Sequence, residues 1–189
     1  MNIFVLSTDP KEAARFHCDK HVVKMILETG QMLCTAHWLG WLHDLGPVPV
    51  KGTKAVSDWL RERIPVDSVP PWRMTHVNHP CTQWAYKSFE NYMWLHSLGV
   101  ELCAEYTLRY KKTHKSEGVY RWLEANRPRS FPESGQTPFA IAMFDDCKVS
   151  SDPVVCYRKY YSVHKRRMAK WKTKEPAWFN SSCETSCAG

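Results

Sequence analysis

Apolar and polar residues between positions 17 and 33 recur with the period of an α-helix. The apolar positions lie on one flank of that helix and are suited to a core: Val22, Val23, Ile26, Leu27 and Leu33. Polar residues follow one another at steps of three or four and form a second stripe: His17, His21, Lys24, Glu28 and Gln31. Imidazoles, an ammonium group and a carboxylate on one stripe could act on a single ligand. The alternative is a solvated helix face on which histidines happen to align.

The same periodicity, combined with the positions of Pro and Gly, predicts helices along most of the chain. Asp9 and Pro10 start the first helix, because an Asp cap followed by Pro suits a helix N-terminus. This helix continues to about His43, either unbroken or as two helices that break near Cys18. Further helices are expected at 53–64, from about 80 to 98, at 100–111, at 116–123 and from 153 to about 172.

Two non-helical segments complete the predicted organisation. Asn2 to Leu6 is a short apolar run that forms a strand or an extended plug, and residues 128–138 form a Pro-rich loop. The expected fold is mainly α, a single compact helical domain over residues 1–179, followed by a flexible tail at 180–189. Gly30 lies inside the first long helix, where it indicates a close helix crossing or the approach of a ligand.

Composition and charge narrow the choice of partners. The formal net charge of +7 and the pI near 9.0 favour a polyanion, of which nucleic acid is the first candidate. No apolar run approaches the length of a bilayer span and no secretory signal pattern is present, so we expect a soluble, unsecreted protein without a membrane partner. The eight cysteines form no CxxC pair, which predicts reduced and often buried thiols.

Two further groups of residues could bind phosphate. His76 and His79 stand just before a helix that begins at Pro80, where free N–H groups and the helix dipole favour an anion. In the alternative, His79 only caps this helix and His76 satisfies a local hydrogen bond. His114 and Lys115, which follow several basic residues, form the second group or else a solvated run of charge.

The last predicted helix interleaves aromatic and basic residues, as nucleic-acid-binding segments do. The candidates for contacts with DNA and its bases are Tyr157, Tyr160, Tyr161, Arg167, Lys170 and Trp171. At helical spacing the tyrosines could instead belong to the core, and both arrangements could hold on opposite sides of one helix.

Neither a metal nor a cofactor is predicted. The paired cysteine spacing of structural zinc sites is missing, although several residues could supply zinc ligands: His17, Cys18, His21, His76, His79 and Cys81. The chain also lacks a Walker loop and a GxGxxG motif, which argues against nucleotide-powered chemistry, and it has no GxSxG elbow.

Several motifs resemble a family of small tailed-bacteriophage proteins associated with DNA metabolism. They are Asp9-Pro10, the run from Cys18 to Met25, Asn78-His79-Pro80-Cys81 with Trp84, Thr137-Pro138-Phe139-Ala140, and Ala169-Lys170-Trp171-Lys172. The similarity extends over residues 2–179. Within that family the chain is similar to amino acid:DNA transferases of thymidine hypermodification. In that reaction, an amino acid displaces pyrophosphate from pyrophosphorylated 5-hydroxymethyluracil in DNA.

This resemblance implies a transferase that uses double-stranded DNA carrying modified thymine and a free amino acid, in the cytoplasm of an infected bacterium. His21 or Glu28 would take the proton of the attacking amine, and Lys20 and Lys24 would complete the catalytic group. The groups that bind the pyrophosphate would be His76, His79, His114 and Lys115.

Two alternatives remain open. The chain is also similar to the small helical, basic phage enzymes that act on pyrimidine dimers as DNA glycosylase/lyases through a Schiff base to an N-terminal amine. Because Asn2 is bulky, it disfavours removal of Met1, and a lysine could replace the amine as nucleophile. The second alternative is a non-catalytic DNA-binding protein, which would explain the charge and the aromatic residues but not the concentration of histidine with lysine.

Overall fold

The fold is mainly α, as predicted. The computed structural model describes residues 1–181. Within that range the regular secondary structure consists of helices, and no β-strand is formed. The α-helices are α1 (Pro10–Phe16), α2 (Asp19–Leu45), α3 (Thr53–Arg61), α4 (Pro80–Lys87), α5 (Phe89–Tyr110), α6 (Glu117–Ala125), α7 (Pro153–His164) and α8 (Ala177–Ser181). Short 3-10 turns form at Val66–Ser68 and Asp145–Cys147. In this part of the chain no helix combines the length and apolarity that a membrane crossing needs.

The first helical region is two helices, and the break lies where the sequence predicted it. The Asp9 carboxylate accepts a hydrogen bond from the Glu12 N–H at 2.7 Å, and Pro10 occupies the first helical position. His17 and Cys18 adopt extended backbone conformations between α1 and α2. The turn is fixed there because both residues are buried.

The core lies between α2 and α5, which run antiparallel. His37 contacts Tyr92 at one end of the pair, and Asp19 contacts Arg109 at the other. The segment Asn2–Leu6 is a plug in this core, with Ile3, Val5 and Leu6 fully buried, and it is not extended throughout, because the chain turns at Phe4, whose φ is 35°. The Asn2 side chain closes the plug, because its amide donates to the Ala142 carbonyl and its oxygen accepts from the N–H groups of Ile3 and Phe4.

The middle of the chain contains a helix break that the sequence does not predict. The helix expected at 100–111 is the continuation of the preceding helix, one of the two arrangements predicted, because α5 runs through Gly99, whereas the helix expected from about 80 to 98 is interrupted at Ser88. Ser88 is extended (φ −146°, ψ 160°), and its hydroxyl accepts from the Asn91 N–H at 3.2 Å. Gly99 is helical, and its missing side chain leaves room for the ring of Tyr120 on α6.

Substituting Gly99 by alanine should destabilise the fold. An added Cβ would lie 2.0 Å from Cε1 of Tyr120, a buried ring whose hydroxyl donates to the Ile26 carbonyl. We expect the free energy of unfolding to fall by about 1–3 kcal/mol, as overpacked sites do. Gly118→Ala on α6 is the control, because its Cβ meets no atom of residues 1–181 within 4 Å and alanine favours helix by up to about 1 kcal/mol. Equal urea midpoints for the two variants would contradict the packing described here.

The last long helix is shorter than predicted. The sequence predicts a helix to about Lys172, whereas α7 ends at His164 and an irregular segment follows. This segment is fixed by backbone contacts, since the Lys170 carbonyl accepts from the Asp19 N–H at 2.8 Å. Helix α8 extends two residues into the predicted tail. The remainder of that tail, with Cys183 and Cys187, lies outside the described residues.

The cysteine prediction agrees with the structure for residues 1–181. Six thiols are free and buried: Cys18, Cys34, Cys81, Cys103, Cys147 and Cys156. A second, smaller apolar cluster packs α3 against the C-terminal half of α2 and is formed by Trp38, Leu60, Ile64 and Met74. It fixes the position of α3 beside the open face of α2.

Candidate active site

The exposed face of α2 differs from the predicted polar stripe. Val23 and Leu27, predicted to be in the core, are 39 % and 43 % exposed. His17 and His21, predicted on the polar stripe, are 0 % and 5 % exposed. Because α2 packs against the plug as well as α5, the histidines face the core. The residues left on the open face are Lys20, Val23, Lys24, Leu27, Glu28 and Gln31.

His17 and His21 belong to an aromatic cluster around the plug. The Phe4 ring stacks on His21 with centroids 4.4 Å apart, and His21 Nδ1 is hydrogen-bonded to the Tyr161 hydroxyl. Nδ1 of His17 donates to the Ala13 carbonyl at 2.7 Å. Burial lowers the pKa of His17 to about 4 and that of His21 to about 3. Both imidazoles are therefore neutral at pH 7, and the part of His21 as a catalytic base stays a prediction.

Glu28 lies at the centre of a group of charges on the open face. Its Oε1 is 3.0 Å from Nζ of Lys24, one helical turn earlier. Its Oε2 is 3.8 Å from the amino nitrogen of Met1, which the buried plug holds beside α2. The Glu28 side chain is 13 % exposed, whereas that of Lys24 is 66 % exposed. A carboxylate between two amines is an arrangement suited to a nitrogen nucleophile with a proton acceptor.

His79 lies close to this group, and His76 precedes it in the chain. His79 caps α4, with its Nδ1 accepting from the Cys81 N–H at 3.2 Å. Burial, and then the positive charge of the amino terminus, lower the pKa of His79, while Glu28 opposes this shift. His76 Nδ1 is hydrogen-bonded to the Thr75 hydroxyl at 2.7 Å. Both histidines thus make the local contacts of the alternative interpretation, in which His79 caps a helix and His76 forms a local hydrogen bond. That either histidine binds phosphate stays a prediction.

The other cationic candidates lie away from Glu28. Lys20 is exposed on the same face of α2, two turns before Glu28. His114 and exposed Lys115 follow the C-terminus of α5, near the start of α2, about 13 Å along the helix axis from Glu28. His114 Nδ1 accepts from the Ser116 N–H, and burial lowers the His114 pKa. The structure does not bring these residues to one point with Glu28.

The residues predicted to contact DNA divide into two sets. Tyr157, Tyr160 and Tyr161 lie in the core around Phe4, at 0 %, 9 % and 0 % exposure, because α7 packs on the plug. The three tyrosines therefore occupy the core, as the second of the two predicted arrangements has it. A DNA base could stack on them only if their side chains moved out of the core. The other three follow the end of α7: Arg167 and Lys170 are exposed, and the Trp171 indole donates to the Phe16 carbonyl at 3.0 Å.

The residues considered as zinc ligands belong to different local arrangements. His17, Cys18 and His21 lie in the core cluster, and His79 caps α4. Within residues 1–181, one other group brings three potential ligand atoms within 4.8 Å of one another: Asp146, Cys147 and His164. In that group, His164 Nε2 donates to Asp146 Oδ2 at 2.8 Å, so a hydrogen bond accounts for the contact.

Sequence reasoning missed two features of the site. The amino group of Met1 was not placed beside Glu28, and the cavity beyond Gln31, described below, was not anticipated. The signal for the first was the run of apolar residues after Asn2, which requires the chain start to enter the core. The signal for the second was Gly30, whose missing Cβ would lie 2.6 Å from the ring of Trp72.

Comparison with known families gives this geometry a context. The sequence model of a family described as pyrimidine dimer DNA glycosylase matches residues 1–118, which include α1, α2 and Glu28. No curated protein matches the chain, and no solved structure does.

The family match corrects the predicted function. An amino acid transferase acting on hydroxymethyluracil is wrong, because the matching family is one of DNA glycosylases, the alternative that the sequence left open. The broader predictions, an association with DNA metabolism and DNA as partner, agree with the match, whereas a phage origin stays a prediction. Since the match spans more than half of the chain, this protein belongs to the pyrimidine dimer DNA glycosylase family.

Proposed function

We propose that this protein removes pyrimidine dimers from DNA as a glycosylase/lyase whose chemistry takes place at Glu28. The observation that carries the proposal is the Glu28 carboxylate between the amino group of Met1 and Nζ of Lys24. An amine can displace a base from C1′ of a nucleotide, and the resulting Schiff base is the intermediate of a lyase. The net charge of +7 supports binding of the DNA backbone.

Glu28 has two tasks in this reaction. As the amine nitrogen forms its bond to C1′, the C1′–N bond to the damaged base breaks, and the carboxylate accepts a proton from the amine. Glu28 returns this proton to O4′ as the C1′–O4′ bond breaks, so the carboxylate is regenerated and the ring-opened sugar is joined to the protein as a protonated imine, while the departing base takes its proton from water. Removal of a proton from C2′ by the same carboxylate allows the C3′–O bond to break, and the 3′ phosphate leaves. The protein is released when water hydrolyses the imine.

Two amines are in contact with Glu28, and they differ in mobility. The Met1 nitrogen is held in place by the plug that follows it in the chain, because Ile3 and Val5 of the plug are fully buried. The Lys24 ammonium lies at the end of a long and largely exposed side chain. A fixed nucleophile reacts faster than a mobile one because its orientation is already set. The Met1 amine is therefore our assignment for the nucleophile.

Borohydride trapping tests both the function and the nucleophile. We expect a covalent protein–DNA adduct on duplex DNA that contains a thymine dimer and none on the undamaged duplex. Proteolysis and mass spectrometry should place the adduct on the N-terminal peptide. Lys24→Arg keeps the positive charge but cannot form a stable imine with the sugar, so it should keep at least half of the trapping rate.

Two outcomes would contradict parts of this proposal. An adduct on the peptide that contains Lys24, together with loss of trapping in Lys24→Arg, would move the nucleophile to Lys24. Tight binding of dimer-containing DNA without any adduct or strand cleavage would contradict the glycosylase/lyase and favour the non-catalytic DNA-binding alternative.

A further inference from the structure

Beyond Glu28, the open face of α2 borders a second concave region. An open cavity of about 650 Å³ lies between α2, the end of α3 and the segment that precedes α4. Its lining includes Gln31, Arg61, Trp72, Arg73 and Thr75. Gln31 follows Glu28 by one helical turn, about 5 Å along the axis, so the cavity adjoins the candidate active site.

The wall formed by residues 72–75 is held rigidly on α2. The Trp72 ring lies against the backbone at Gly30, and the Trp72 carbonyl accepts from the Trp38 indole at 2.8 Å. The Thr35 hydroxyl donates to the Thr75 carbonyl at 3.0 Å and accepts from the Thr75 N–H at 3.1 Å. A helical glycine and two anchored residues thus keep the cavity open beside Glu28.

Two arginines line the cavity, and they differ in whether their guanidinium groups already have partners. Arg73 Nη2 is 3.3 Å from Asp58, which also pairs with Lys54 at 2.7 Å. The Arg61 guanidinium lies over the Trp38 ring, 5.3 Å from its centroid. Its Nε is buried and has no hydrogen-bond partner among residues 1–181. A buried N–H without a partner costs free energy, so a ligand oxygen would be stabilised there once the Arg61 side chain turns this edge into the cavity.

A phosphodiester fits these donors better than a neutral ligand. The Nε and Nη edge of a guanidinium matches two oxygens of a phosphate, and such charge-assisted pairs are strong. The acidic group near the cavity, Asp58, is shared by two cations, so the local charge stays positive. The Trp38 ring covers one face of the Arg61 guanidinium and limits the directions from which water can reach it.

We propose that this cavity binds a phosphodiester of the DNA substrate through the Nε edge of Arg61, with Arg73 as the second cation. The identity of the polyanion rests on the proposed function. Because the cavity begins one helical turn from Glu28, the phosphate belongs to a nucleotide adjacent to the one that reacts. The cavity therefore sets the register of the damaged strand on α2.

Arg61→Gln, compared with Arg63→Gln, tests the assignment. Both arginines lie at the end of α3 over a tryptophan ring, but Arg63 is already partnered: its Nη1 donates to the Trp59 carbonyl at 2.8 Å and pairs with Glu62 at 3.1 Å. We expect Arg61→Gln to raise the Kd for duplex DNA about tenfold and to reduce the slope of log Kd against log salt by about one. Arg63→Gln should stay within about twofold of the parent.

Neutral phosphates locate the contact. A methylphosphonate is placed at successive positions of the damaged strand, one position at a time. At one position it should weaken binding by the parent protein, and at that same position it should not weaken binding by Arg61→Gln any further. Arg61→Lys guards against a folding defect, because it keeps the charge and should lose affinity while its melting temperature matches that of the parent. Equal Kd values for the two glutamine variants, or methylphosphonate effects that add to Arg61→Gln at every position, would overturn the proposal. Borohydride trapping that persists with such a result would leave the glycosylase/lyase standing.

Discussion

Replacing Glu28 by glutamine should slow formation of the borohydride-trapped adduct by about 10²–10⁴-fold. The amide keeps the size of the side chain but cannot accept the proton of the attacking amine. It also removes the charge that holds the Met1 nitrogen and Lys24 Nζ within 3.8 Å and 3.0 Å of the carboxylate. The measurement is single-turnover trapping on dimer-containing duplex at saturating protein, which separates chemistry from binding.

Glu124→Gln provides the control for this charge change. Glu124 lies on α6, 53 % exposed, where it pairs with Arg127. Its replacement should leave the trapping rate within about twofold of the parent, since exposed pairs contribute little. If Glu28→Gln traps DNA as fast as Glu124→Gln does, then Glu28 is not the proton acceptor, whichever amine carries the adduct.

Loss of the Arg109 charge should have the largest effect on stability. The guanidinium is fully buried, pairs with Asp19 at 3.1 Å and Glu105 at 2.8 Å, and donates to the carbonyls of His17 and Arg15. Arg109→Met would leave two carboxylates and two carbonyls without their donor at the corner between α1 and α2. We expect the free energy of unfolding to fall by about 3–5 kcal/mol, measured by urea denaturation.

Arg121→Met is the matched control for that substitution. Arg121 is 75 % exposed on α6, and its pair with Glu117 at 3.5 Å is a surface contact. Its loss should cost less than about 1 kcal/mol. A similar small loss for Arg109→Met would mean that the α1–α2 corner does not depend on the buried charges.

The sequence predicts helix starts better than helix ends. Asp9 and Asp152 each begin a helix with a side-chain cap, as expected from an Asp followed by Pro. The break at Ser88 could not be read from composition, because neither Pro nor Gly stands between residues 84 and 92. Likewise, the end of α7 at His164 depends on tertiary contacts of the segment that follows.

The sequence predicts one part of the candidate site, the pairing of side chains along α2, but it does not predict which face of α2 is buried. Helical spacing correctly joins Lys24 to Glu28, because residues four apart meet on one face. The same spacing cannot say which face is buried, since His17 and His21 are compatible with either. The plug decides the question: Phe4 and Tyr161 enclose His21, and burial outweighs its polarity.

The functional error has a related origin. The motif from Cys18 to Met25 carries four residues that the structure buries, namely Cys18, His21, Val22 and Met25. Cys81 of the second motif is buried as well. Such residues report how the helices pack, and packing is shared by proteins with different chemistry. The family model distinguishes the glycosylase from the transferase because it compares residues 1–118 together, whereas these short motifs do not.

The plug also has a practical consequence for the design of expression vectors. Residues fused before Met1 would have to leave the molecule past Glu28, because Ile3, Val5 and Leu6 are fixed in the core. An affinity tag at that end would cover the Met1 amine and crowd the open face of α2. The position of a tag is therefore a variable in any activity measurement on this protein.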